Sequence, residues 1–165
     1  MTTPPFDPPT SADIDAVSAQ LGRPARNVIG ISARCVCGKP TVVSTKPRLD
    51  DGTPFPTLYY LSHPAATAAV STLEATGVMT ELSALLVDEI LDQYKAAHEA
   101  FLADRESIEN VPEIDGISSG GMPTRVKCLH ALVAHSLAAG PGVNPIGDLA
   151  LERADWSPEV CECVA

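Results

Sequence analysis

The chain is poor in several things that large functional classes require. Aromatic residues make up 4% of its 165 positions, so a core must be assembled from Leu, Val, Ile and Ala. Basic residues are scarce as well: 11 Lys and Arg stand against 21 Asp and Glu, for a formal charge of -10. Nucleic-acid binding draws on Lys and Arg that displace counterions from phosphates, and anionic lipid attracts the same residues. Neither partner is expected here. No apolar run approaches the ~18 residues of a spanning helix, so no membrane insertion is expected. The opening "MTTPPFDPPTSAD" has neither the basic region nor the apolar stretch of an export signal. The expected location is the cytoplasm, where thiols stay reduced.

What the chain does contain is enough for one domain. Residues 1–10 carry four prolines and read as a disordered tail, leaving 11–165 as a single domain with a cysteine-containing C-terminal tail. Ser11 is placed to cap a helix through Leu21, closed by Gly22 and Pro24. Runs rich in β-branched residues at 27–34, 41–45 and 57–62 predict three strands. Ser62 and Pro64 then read as cap and first turn of a helix ending at Gly77, and a longer helix is expected from Thr80 to Arg105. Pro123 reads as the start of a helix to Ala139, and Asn144-Pro145 as the start of a short last one. The expected fold is α+β: a small antiparallel sheet near the N-terminus packed by about four helices.

Five cysteines supply the most specific signal: "CVC" at 35–37, Cys128 in "RVKCLHALVAH", and "CEC" at 161–163. In a strand, Cys35 and Cys37 project to one face with Cα atoms ~6.5 Å apart. Convergent thiolates select Zn²⁺ or an iron–sulfur cluster, although the commoner spacing is Cys-x-x-Cys. On a helix from 123 to 139, Cys128 and His135 lie ~10.5 Å apart along the axis, and His130 falls on nearly the opposite side from Cys128. Neither histidine is an obvious co-ligand. The expected ligand set is therefore Cys35, Cys37, Cys128 and one tail cysteine, Cys161 or Cys163. Zinc is favoured over a cluster because nothing in the sequence marks a redox partner. The competing account is that small buried cysteines fill gaps.

A second candidate is "SSGGMPTRVK" at 118–127. Gly120 and Gly121 precede the expected helix start, with Arg125 and Lys127 in its first turns, an arrangement suited to an anion. Those cations also lie near Cys128 and would favour its thiolate. Cys128 is thus a candidate nucleophile, with His130 or His135 as its base.

The segments "CVCGKPTVV", "PRLDDGTPFPTLYYL", "LEATGVM" and "GGMPTRVKCLHALVAHSLAAGPGVNPIGD" resemble the actinobacterial family catalogued as domain of unknown function 501. The resemblance runs from about residue 21 to 151 and stops short of the tail pair. It implies a bacterial cytoplasmic protein and brings no activity with it. Three functions remain in view. The first is metal binding through cysteines. The second is an enzyme acting on a phosphorylated or otherwise anionic small molecule through Cys128. The third is an interaction module whose acidic long helix docks a protein partner.

Overall fold

In the computed structural model, which describes residues 6–163, the chain enters along the edge of the sheet. Asp7 exchanges two backbone hydrogen bonds with Ile31, each 2.8 Å. The Phe6 ring lies on Gly30, where any side chain would collide with it. Phe6 and Asp7 of the expected tail thus lie against β1; residues 1–5 lie outside the described residues. Helix α1 (Ser11–Leu21) is capped by Thr10 and not by Ser11. The Thr10 hydroxyl accepts from the Asp13 amide at 3.1 Å, and the Asp13 carboxylate accepts from the Thr10 amide at 3.0 Å. This reciprocal box satisfies two amides that a helix start would leave unpaired. Asp13 also holds Arg34 at 2.7 Å, tying α1 to the sheet.

Three antiparallel strands follow in the order β1 (Val28–Arg34), β2 (Pro40–Thr45), β3 (Tyr59–Leu61). Alternation divides their side chains between two faces. Val43 and Ile31 meet Val17 of α1, whereas Val42, Tyr59 and Leu61 join the main core. With both faces covered, β2 is buried from Pro40 to Ser44, which is why its sequence is a continuous run of apolar and small residues.

Five further helices pack around that sheet: α2 (Pro64–Glu74), α3 (Val78–Ala84), α4 (Asp88–Ile108), α5 (Leu129–Ala139) and α6 (Pro145–Arg153). The described residues thus form six α-helices, one more than the five stretches expected to be helical and more than the about four expected to pack on the sheet. One is gained because the helix expected from Thr80 to Arg105 is broken. Leu85 and Leu86 close a tight turn onto α3, and Asp88 starts α4 at φ 49°, a left-handed conformation that Asp tolerates. Asp88 and Glu89 then lie in the first turn of α4, where acidic groups suit the helix dipole. Helix α5 is central, with Leu129, Leu132, Val133, Ala134 and His135 all buried. No helix among the described residues is long and apolar enough to cross a membrane.

Arg105 of α4 is buried in this fold. Its guanidinium donates to the carbonyls of Pro56 and Ile114 at 2.8 Å each, and to that of Ile117. One side chain thereby ties the segment before β3 to the short 3-10 turn Pro112–Ile114 and the residues after it.

Candidate metal centre

The first cysteine pair lies in the turn between β1 and β2 and not on the strand. The Cys35 amide donates to the Lys39 carbonyl and the Gly38 amide to the Cys35 carbonyl, both at 2.8 Å. The reversal needs Gly38 at φ +92°, a region that side chains with a Cβ avoid. Val36 is left 67% exposed on the outside of the bend. The two sulfurs share one side, as alternation on a strand would also give, but the turn is what places them there.

The tail reaches this turn by a short route. Beyond α6, Trp156 is buried, its ring 5.3 Å from that of His63 between centroids. The Val36 amide then donates to the Pro158 carbonyl at 3.0 Å, and a turn closes from Val160 to Ser157 at 3.3 Å. Cys161 and Cys163 follow directly, and the sulfurs of Cys37 and Cys163 stand 3.5 Å apart. The sulfurs of Cys35, Cys37, Cys161 and Cys163 all lie within 4.8 Å of one another.

The surroundings of the four thiols differ. Burial pushes the Cys35 thiol up and that of Cys163 up to about 12. The Lys39 amide beside Cys37 is the main reason its thiol falls to about 7. Packed this closely, four thiols cannot all ionise without a cation to offset their charge. His63, almost wholly buried, completes the surroundings. Its Nδ1 accepts from the Ala66 amide at 3.3 Å, so the ring proton belongs on Nε2, which lies 3.1 Å from the Cys163 sulfur. An N–H aimed at a thiolate favours the charged form and fixes its direction. The sequence offered a cue for His63, since Pro64 marks a helix start. Ser62 is the expected cap, but His63 is the residue that caps α2.

The ligand set expected from the sequence is not the set that converges. Both tail cysteines join Cys35 and Cys37, while Cys128 stands with Glu74 and His130. The expected helix from Pro123 does not form. Gly120 and Gly121, at φ +69° and +97°, bend the chain back so that the Arg125 amide donates to Gly121 and the Lys127 amide to Gly120. Helix α5 begins only at Leu129, and Cys128 precedes it in an extended conformation. The helical spacing that set Cys128 and His130 on opposite sides therefore does not apply to them. No helix N-terminus therefore stands at Pro123 to cradle an anion, and the Arg125 and Lys127 amides are occupied within the turn. Gly120, Gly121, Arg125, Lys127 and Cys128 nevertheless line one cleft of about 610 Å³. His135 is not beside Cys128: it is buried in the core, stacked on Tyr59 at 5.8 Å between centroids and edge-on to Phe101 at 5.4 Å.

Fold and site together define a single α+β domain in which four cysteines from the first sheet turn and the C-terminal tail lie within metal-binding distance. The chain belongs to the family described as Protein of unknown function (DUF501), which matches residues 31–152. Cys35, Cys37 and Cys128 fall inside the matched residues; Cys161 and Cys163 fall beyond them. Comparison with curated proteins and with solved structures gave no match.

Proposed function

We propose that this protein binds one zinc ion through Cys35, Cys37, Cys161 and Cys163, and that the ion fastens the C-terminal tail to the β1–β2 turn. The observation that carries this reading is the mutual approach of four sulfurs within 4.8 Å. A single tetrahedral ion with Zn–S bonds of ~2.3 Å separates its sulfurs by about 3.8 Å. An iron–sulfur cluster spreads its cysteines over several sulfide-bridged irons and so needs wider spacing. Four thiolates fill the coordination shell and leave no position for water, which is the pattern of a structural site and not of a hydrolytic one. The site requires reduced thiols, which goes with a cytoplasmic location.

The test is metal analysis of protein purified under reducing, oxygen-free conditions. One equivalent of zinc per chain and a colourless solution are expected. Cys35→Ser, Cys37→Ser, Cys161→Ser and Cys163→Ser should each lower the zinc content, and Cys128→Ser should not. Only traces of metal, or two disulfides among the four cysteines in freshly isolated protein, would overturn the reading. A stoichiometric iron chromophore would replace zinc by iron.

A further inference from the structure

A second group of side chains converges away from the four thiols. Glu74 at the end of α2 and His130 in the first turn of α5 are joined by a 2.6 Å contact between Oε1 and Nδ1. The other ring nitrogen, Nε2, lies 3.0 Å from the Ser71 hydroxyl and 3.2 Å from the Thr67 carbonyl oxygen. The Cys128 sulfur lies within 4.8 Å of ligating atoms of both Glu74 and His130.

These contacts constrain the histidine. Its Nδ1 faces a carboxylate and its Nε2 faces a carbonyl, both of which only accept. The ring satisfies them best when both nitrogens carry a proton, that is, as the imidazolium. A cation held against a sulfur favours the thiolate, which is the nucleophilic form. The titration tendencies agree in direction: His130 is raised, chiefly by Cys128, and Cys128 is lowered, chiefly by His130. Cys128 is partly exposed. It lines the cleft of about 610 Å³ that carries Arg125 and Lys127, and also a second cleft of about 340 Å³ with Tyr60 of β3. Glu74, Tyr59, Tyr60, Arg125 and Lys127 are thus the charged and titratable groups around the Cys128–His130 pair, and the two cations favour an anionic ligand.

We propose that Cys128, with His130 and Glu74 behind it and Arg125 and Lys127 beside it, is a nucleophilic centre for a small anionic electrophile. The carboxylate orients the histidine, the histidine holds the proton, and the cationic cleft admits a carboxylate- or phosphate-bearing molecule. The sulfur's electron pair forms a bond to an electrophilic carbon as the bond from that carbon to its leaving group breaks. The leaving group departs with the bonding pair and takes the proton that His130 holds. A metal shared by the three residues fits less well. Two ligands of one zinc ion stand about 3.3 Å apart, whereas Glu74 and His130 are at the 2.6 Å of a direct charge-assisted hydrogen bond. This centre does not depend on the zinc reading, since it shares no residue with it.

The experiment is alkylation of the full chain by iodoacetamide (neutral) and iodoacetate (anionic), with the label located by peptide mass spectrometry. At pH 6 the Cys128 peptide should react roughly tenfold faster in the wild type than in His130→Gln. Glu74→Gln should slow it as well, and serves as the second variant should His130→Gln fail to fold. Arg125→Ala with Lys127→Ala should lower the ratio of iodoacetate to iodoacetamide rates roughly tenfold. Equal Cys128 labelling in the wild type, His130→Gln and Glu74→Gln would overturn the nucleophile. An unchanged reagent ratio in the double variant would overturn the anionic substrate. Protection of Cys128 by added zinc, lost in Glu74→Gln, would make it a metal site instead.

Discussion

Metal removal is expected to unfasten the tail and leave the domain folded. The main core is built around Tyr59, Phe101, Leu132 and Ile146, and of the four sulfurs only that of Cys35 is buried. Trp156 belongs to that core, and beyond it the described residues of the tail have few attachments to the domain: Val36 to Pro158 at 3.0 Å and His63 to Cys163 at 3.1 Å. One backbone hydrogen bond contributes about 1 kcal/mol net. Ordering the residues from 157 to 163 costs roughly 7–14 kcal/mol at 1–2 kcal/mol per residue. A structural zinc site releases about 10–16 kcal/mol near neutral pH, enough to offset that cost where packing is not. The assay is chelator titration followed by the emission of Trp156, the single tryptophan of the chain. Emission should change as Cys163 leaves His63, the ring packed on Trp156, and protease should begin to cut beyond Trp156 while the domain resists. In calorimetry, free zinc a hundredfold above its Kd should add about 2.7 kcal/mol, a rise in Tm of roughly 5–11 °C for a domain of this size. Unchanged emission and protease resistance after the zinc has demonstrably left would refute the reasoning, because packing alone would then hold the tail.

Two other perturbations probe the interior. Burial pushes His135 down to about 4, against ~6.5 in an unfolded chain. Between those values the unfolded state binds the extra proton, so stability falls as pH drops, by about 2 kcal/mol at pH 5 relative to pH 7. His63 is lowered by burial and acts in the same sense, whereas the raised His130 contributes stability that is lost as pH rises through its folded value. Urea unfolding of His135→Leu at the two pH values should show most of that difference gone; a wild-type difference in the variant would mean His135 is not held neutral. Arg105→Met should cost about 3 kcal/mol by stripping the carbonyls of Pro56, Ile114 and Ile117 of a charged donor. Hydrogen exchange should quicken in residues 112–118, and Arg105→Lys should restore only part of the loss because an ammonium cannot reproduce the planar fork.

Much of the fold was legible because local chemistry and tertiary packing agree. The β-branched runs became strands, and Gly22 and Asn144-Pro145 bounded helices where expected. The failures occur where backbone geometry overrides composition. Thr80 to Arg105 reads as one helix because its leucines recur at helical spacing, yet Asp88 accepts a left-handed φ and starts a new one. Pro123 is a good first helical residue, but here it sits inside a turn fixed by the two glycines before it. An added Cβ on Gly121 would come 2.5 Å from the Arg125 carbonyl oxygen. That close approach explains a glycine at this position more directly than an anion cradle does.

The site was half legible for a related reason. Cys-x-Cys names two sulfurs that a turn or a strand will bring together, so spacing alone was enough to pair 35 with 37 and 161 with 163. Which pairs meet is a question of where the chain ends travel, and no local pattern encodes that. The expectation that Cys128 joins the set places it on a helix from Pro123 that would be pinned to the sheet. In the structure it lies outside the helix, beside His130, which lowers its thiol, and Glu74, whose charge favours the protonated form of His130. No local signal marks Glu74, which lies 54 residues before Cys128 at the end of α2. The five cysteines therefore divide by environment. Four crowd within 4.8 Å of one another, where a cation would offset the charge of their fully ionised form even with His63 beside Cys163. The fifth stands apart from other thiols, and His130 favours its thiolate.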